Sequence, residues 1–181
     1  MKDWQFPRTS HEDDLVEAAR ECVALMGTSI RHTPITRRVL EAAHAAGVRK
    51  VVLASSAAIY GDNPTVPKLE SMPPEPKSPY AETKLAGENL LEQYRQSHGL
   101  GTTSLRFFNV FGPRQDPRSA YAAAVPIFIA KALRDEPIGI HGDGGQTRDF
   151  IHVTDIVGAL AYAGASSTMA GTYNVGYGQS Q

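Results

Sequence analysis

The chain sets a phenol and an amine four residues apart, Tyr80 and Lys84, within Ser78-Pro79-Tyr80-Ala81-Glu82-Thr83-Lys84. Residues at that spacing share one helix face, so the two groups can serve a single reacting atom. A neighbouring cation favours phenolate and draws a tyrosine pKa down from about 10 towards working pH, which is acid–base machinery. Upstream, Ser55 and Ser56 close a strand-like run, and a serine hydroxyl there could hold the substrate oxygen while the phenol exchanges its proton. The same spacing also describes an ordinary pair on a helix surface.

The elements needed to position these groups follow from patterning. The uninterrupted apolar run Val51-Val52-Leu53-Ala54 suits a strand buried on both faces, as in a parallel sheet. Ser55 and Ser56 then stand at the carboxyl end of that strand, where ligands sit in open α/β sheets. A helix over residues 79–98 begins at Pro79 and stops before Gly99. Its face Tyr80, Lys84, Gly87, Leu91, Tyr94 runs at i+3/i+4 spacing. Between strand and helix, residues 61–79 hold six prolines among turn residues and read as a loop. Helices are expected at about 34–46, 123–134 and 154–165, and strands at 103–108, 138–141, 148–153 and 172–175. This alternation implies an α/β fold with a doubly wound parallel sheet and helices on both faces. Residues 1–33 read as a separate helical segment. Ser10 and Asp13 suggest a capping box, and Leu15, Ala19, Cys22, Val23 and Met26 recur at helical spacing.

Composition narrows the class. With 18 basic and 19 acidic residues the net charge is −1, so neither nucleic acid nor an anionic membrane is an indicated partner. The single Cys22 excludes an internal disulfide and fits a reducing compartment. The sequence lacks an apolar run of roughly 20 residues and a signal-peptide core, which makes cytoplasm the default. The six His are scattered without ligand spacing, so no metal is expected.

Four blocks occur in one order: residues 49–61, ending Ile59-Tyr60-Gly61; residues 78–84; Leu105-Arg106-Phe107-Phe108-Asn109-Val110-Phe111-Gly112-Pro113-Arg114; and residues 142–155, containing Gln146-Thr147-Arg148-Asp149-Phe150-Ile151-His152. Over residues 38–178 they resemble the extended short-chain dehydrogenase/reductases, specifically the NAD-dependent epimerase/dehydratase family acting on nucleotide sugars. The resemblance implies a Rossmann-like sheet that is partial, with part of the small substrate-binding region, in a chain truncated at both ends. It also implies NAD as cofactor, a nucleotide-sugar substrate and a homo-oligomer. Ser56, Tyr80 and Lys84 would be catalytic, with Ser56 also touching substrate. Ser55, Tyr80, Lys84 and Phe107 would line the cofactor. Asn109 and Arg148 would bind the substrate diphosphate, and Val125 and Ile140 would wall the nucleotide pocket. A guanidinium suits that role because it is planar, always charged and able to grip two oxygens.

Two departures from the family bear on activity. Where related 4,6-dehydratases carry Asp and Glu after the catalytic hydroxyl, this chain has Ala57 and Ala58; neither carries a proton, which favours epimerisation of the UDP-sugar 4-epimerase type, or oxidoreduction, over dehydration. Before Tyr80 the glycines are Gly27, Gly47 and Gly61, without the G-x-G-x-x-G turn that holds a dinucleotide pyrophosphate. A fragment that binds sugar nucleotide or a partner subunit without turnover is therefore the alternative. Loss of the family's first strands would leave the 51–54 strand with an open edge and favour association with another copy.

Overall fold

The apolar run after Arg49 becomes β2 (Lys50–Ser56), buried at every position except the last. In the computed structural model, which describes residues 22–25, 32–118, 124–140 and 142–180, β2 is an interior strand. It pairs in parallel with β1 (Cys22–Leu25) on one side and β3 (Gly101–Phe107) on the other. Beyond β3 lies β6 (Gly171–Val175), also parallel, giving the order β1-β2-β3-β6. A second sheet of two parallel strands, β4 (Asn109–Phe111) and β5 (Phe150–His152), stands beside it.

Successive side chains of β2 feed opposite cores, as the period of two requires. Val51 and Leu53 pack with Leu40 and Ala43 of α1 (His32–Ala45) and with Leu90, Leu91 and Tyr94 of α2 (Pro79–His98). Val52 joins Leu105, Val175 and the face Ile156, Ala159, Ala163 of α4 (Val153–Ala165). Each buried leucine in these clusters contributes about 1.5–3 kcal/mol. Helices on both faces of a parallel sheet make the doubly wound arrangement expected from the alternation.

Local chemistry fixes α2, the helix that carries Tyr80 and Lys84. Ser78 caps it by accepting the Ala81 N–H at 3.2 Å, and Pro79 occupies the first turn, where its missing N–H costs nothing. Gly99 ends it in the left-handed region (φ 68°), donating to Arg95 O at 3.1 Å. The chain leaves the larger sheet for the smaller within one peptide. The Phe108 amide donates to Val175 O (3.1 Å), and the next amide, Asn109, donates to Asp149 O (3.0 Å).

Three expectations need correction. Cys22–Leu25 is a strand, not part of a helix; four consecutive apolar residues fit either, and pairing with β2 decides. The remainder of that expected helix, including Ser10, Asp13, Leu15, Ala19 and Met26, lies outside the described residues. The 51–54 strand has no open edge, because β1 covers it. Residues 138–140 do not form a strand, and Ile140 is 68% exposed there. The short α3 (Ala124–Ala132) matches the expected helix within its described residues. No helix among the described residues is long and apolar enough to cross a membrane.

Candidate active site

At the carboxyl end of β2 the chain turns into a single 3₁₀ turn, Ala57–Tyr60. Ser56 is the cap of this turn, its Oγ accepting the Ala58 N–H at 3.2 Å, so the hydroxyl oxygen is aimed forward along the strand end. Helix α2 packs across the same end and across the turn. From it Lys84, only 6% exposed, donates Nζ to Ala54 O at 2.7 Å. The same Nζ lies 5.6 Å from the centroid of the Tyr80 ring. Lys84 is thus a common neighbour of the serine end of β2 and of the tyrosine. Burial lowers the Lys84 pKa below its ordinary value, because an ammonium loses hydration there. Tyr80 itself is 36% exposed, so the pair is open on its phenol side and closed on its ammonium side.

One turn further along α2, Glu88 repeats the grip. It accepts the Ser55 hydroxyl at 2.5 Å, so Ser55 is held inward and Ser56 is the hydroxyl left at the rim. Glu88 also binds Arg106 of β3 in a two-pronged ion pair, Nε to Oε1 at 3.0 Å and Nη2 to Oε2 at 2.7 Å, with both side chains 6% exposed. Arg106 Nη1 donates to the Tyr60 hydroxyl at 2.9 Å, which donates to Asn174 Oδ1 at 2.7 Å. Burial opposes the Arg106 charge, but the bonds to Glu88 and Tyr60 outweigh it and hold its pKa above the ordinary arginine value. Sequence reading passed over this network. Its signals were a lone arginine inside a buried strand, which demands a partner, and a carboxylate four residues after Lys84.

The other expected site residues fall into separate places. Phe107, half-buried, packs onto the β2–β3–α4 core at the strand end. Asn109 opens β4 and donates its side-chain amide to Asp149 O at 2.9 Å, tying the two short strands together. Val125 lines a cavity of about 450 Å³ with Phe111, Gln115, Ile129 and His152. Ile140 and Arg148 do not line it. Arg148 is exposed and bonds within its own loop, to Thr147 O at 2.8 Å and Gln146 Oε1 at 3.5 Å. The structure therefore gathers Ser55, Ser56, Tyr80 and Lys84 at one strand end, with Phe107 on the neighbouring strand, and leaves Val125, Ile140 and Arg148 apart from them.

Gly176-Tyr177-Gly178 follows the parallel strand β6 and looks like an anion-binding turn. The Asp149 carboxylate already fills it, accepting the Tyr177 N–H and the Gly178 N–H at 2.8 Å each. A Cβ at Gly176 would sit 2.8 Å from Asp149 Oδ2, which explains glycine at that position.

Known proteins resemble this chain in sequence and in fold. The model of the NAD dependent epimerase/dehydratase family matches residues 26–176. UDP-glucose 4-epimerase of Mycolicibacterium smegmatis is 44% identical over 144 residues, covering 79% of this chain and 46% of that protein. Among solved structures, UDP-N-acetylglucosamine 4-epimerase from Methanobrevibacter ruminantium, in complex with UDP-N-acetylmuramic acid, superposes with a TM-score of 0.82 at 36% identity, covering 94% of this chain and 62% of that one. UDP-glucose 4-epimerase of Thermus thermophilus, complexed with NAD, gives 0.76 at 38% identity, with 92% and 61% covered. The chain spans about half the length of the curated relatives it matches.

Proposed function

Because the chain belongs to the NAD dependent epimerase/dehydratase family, we propose that it carries the proton-transfer centre of a nucleotide-sugar epimerase of the UDP-sugar 4-epimerase type, with Ser56, Tyr80 and Lys84 as its catalytic residues. The observation that carries this reading is Lys84, buried with Nζ 2.7 Å from Ala54 O and 5.6 Å from the Tyr80 ring centroid. A cation held so close to a phenol favours its ionised form. Tyr80, as phenolate, removes the proton of the sugar C4 hydroxyl and returns it at the end of the cycle. Ser56 shares the hydrogen bond of that oxygen, and Lys84 holds its Nζ beside the tyrosine ring.

The residues present fit the nicotinamide end of NAD. A phenol open to solvent above a buried ammonium, at the carboxyl end of a parallel sheet, offers the position and polarity that a cofactor ring and its ribose require. Tyr80, Lys84 and Phe107 would hold that end, with Ser55 behind them, its hydroxyl held inward by Glu88; when bound, NAD supplies a reversible hydride acceptor for the sugar C4 carbon. The substrate diphosphate falls to Asn109 and Arg148, and the nucleotide to the cavity that Val125 lines, with Ile140 exposed outside it. Ala57 and Ala58 occupy the turn after Ser56. Methyl groups cannot move a proton, which favours epimerisation over dehydration.

A second reading, binding of sugar nucleotide without turnover, draws support from the glycines. Gly47 (φ 69°) turns the chain out of α1, and Gly61 presses against Glu75 O, so both serve backbone turns elsewhere. Tyr80→Phe separates the two readings. It removes only the hydroxyl, so UDP-sugar 4-epimerase turnover should fall below a tenth of the wild-type kcat with circular dichroism unchanged. Retention of more than a tenth overturns the catalytic assignment, and a wild-type protein that binds UDP-sugar without turnover supports the second reading.

A further inference from the structure

We infer that Tyr60, held by Arg106 and Asn174, is a positioning residue that fixes the Ser56 turn against the Tyr80–Lys84 face of α2. Two consecutive turns of that helix seize two consecutive residues of β2: Lys84 takes Ala54 O, and Glu88 takes the Ser55 hydroxyl. Arg106 stands directly across from Ser55 in the β2–β3 pairing. Its planar fork spends two bonds on Glu88 and a third on Tyr60. Tyr60 is the last residue of the turn that Ser56 caps, so the rim hydroxyl and the anchored phenol are the two ends of one short element.

The anchor reaches further than the turn. Arg106 also lies over the Tyr60 ring, 4.9 Å from its centroid, and Tyr60 is 1% exposed. Beyond it, Asn174 of β6 donates to Lys68 O at 2.9 Å and its backbone amide donates to Glu70 Oε1 at 2.7 Å. The Tyr60 hydroxyl thereby links the Glu88–Arg106 pair, which joins α2, β2 and β3, to Asn174, which joins β6 and the loop after Gly61. Among the described residues, Ser56 Oγ is held locally by the Ala58 N–H at 3.2 Å. Without the far anchor, the turn could pivot about the end of β2 and carry Ser56 with it. A bidentate, buried guanidinium resists such motion because every donor has a fixed direction.

The test is Tyr60→Phe, which keeps the ring and deletes the shared hydroxyl. Two amides report on the turn: Gly61, donating to Ala58 O at 3.1 Å, and Glu75, donating to Ile59 O at 2.8 Å. Hydrogen exchange at both should quicken at least tenfold, while the Leu105 amide in β3 is unchanged. Unchanged exchange at Gly61 and Glu75, or an equal rise at Leu105, overturns the inference. A kinetic arm rests on the epimerase reading. In turning-over protein, Tyr60→Phe should lower kcat at least fivefold with KM for the UDP-sugar within twofold. In a Ser56→Ala background the same change should cost less than twofold, since Tyr60 acts through Ser56. Full losses in both backgrounds overturn the inference. If wild-type protein shows no turnover, the epimerase reading fails and the exchange result alone decides this one.

Discussion

Replacing Glu88 with Gln should be among the most damaging isosteric changes in the molecule. The side chain keeps its shape, but one carboxylate oxygen becomes an NH₂ that must face the guanidinium from either position, since Arg106 donates to both oxygens and Ser55 shares Oε1 with it. Arg106 would keep its charge, at 6% exposure, with one Gln oxygen and the Tyr60 hydroxyl as its acceptors in the network. Removing one member of a buried pair costs about 3–5 kcal/mol, against a total native stability of about 5–15 kcal/mol. The lower end applies, because Gln still offers one acceptor. With a urea slope of about 2 kcal/mol per M, a loss of about 3 kcal/mol lowers the midpoint by about 1.5 M. Equilibrium urea unfolding followed by circular dichroism reads this directly. The control is the double change Glu88→Leu with Arg106→Met, which removes both charges. It should recover to within about 2 kcal/mol of wild type, the deficit being the Ser55 hydroxyl left without its acceptor. A Glu88→Gln protein within about 1 kcal/mol of wild type, or a double variant weaker than the single, refutes the view that uncompensated charge dominates here.

Arg148→Ala should leave stability unchanged, since its bonds stay within its own exposed loop. It should weaken UDP-sugar binding by about 1.5–3 kcal/mol, the range for hydrogen bonds to charged groups; equal affinities in calorimetric titration remove it from the site. The burial that lowers the Lys84 pKa also sets a pH dependence. As pH rises through that lowered value the ammonium is lost and Tyr80 loses its cation. The kcat/KM profile should therefore fall on its alkaline side below the ordinary lysine value of about 10.4. Lys84→Arg keeps a charge beyond that range and should remove this limb, and identical limbs in both proteins would exclude Lys84 as its source. The sign for stability is opposite: the folded protein prefers neutral Lys84, so stability gains as pH rises from the lowered folded value to the unfolded one.

What was legible in the sequence followed strong local chemistry. Pro79, Ser78 and Gly99 bound α2 as expected because cap, first-turn proline and left-handed glycine act within a few residues of each other. β2 was legible from an apolar run too short for a helix with serines at its end. Strand β1 was not, since Cys22-Val23-Ala24-Leu25 suits either period and only pairing to Lys50–Leu53 distinguishes them. Strand β4 was hidden because it has three residues, and its partner lies 41 positions away. The 138–141 stretch carries strand-like alternation, yet neither sheet pairs with its described residues. Within the site, the Tyr80–Lys84 spacing was visible because a helix makes it local. The Glu88–Arg106 pair, 18 residues apart, required the helix to fold back over the neighbouring strand.

The single peptide that carries the chain from one sheet to the other has a thermodynamic consequence. Phe108 is tied to β6 and Asn109 to the Asp149 carbonyl beside β5, so the main-chain positions of Phe107 and Asn109 cannot change independently. On the assignment proposed above, the first belongs to the cofactor and the second to the substrate diphosphate. A ligand that tilts the small sheet must then also work on the cofactor end. By linkage, the factor by which NAD alters sugar-nucleotide affinity equals the factor by which sugar nucleotide alters NAD affinity. Two occupants of one enzyme would sense each other through one amide plane, and each could be titrated as the effector of the other.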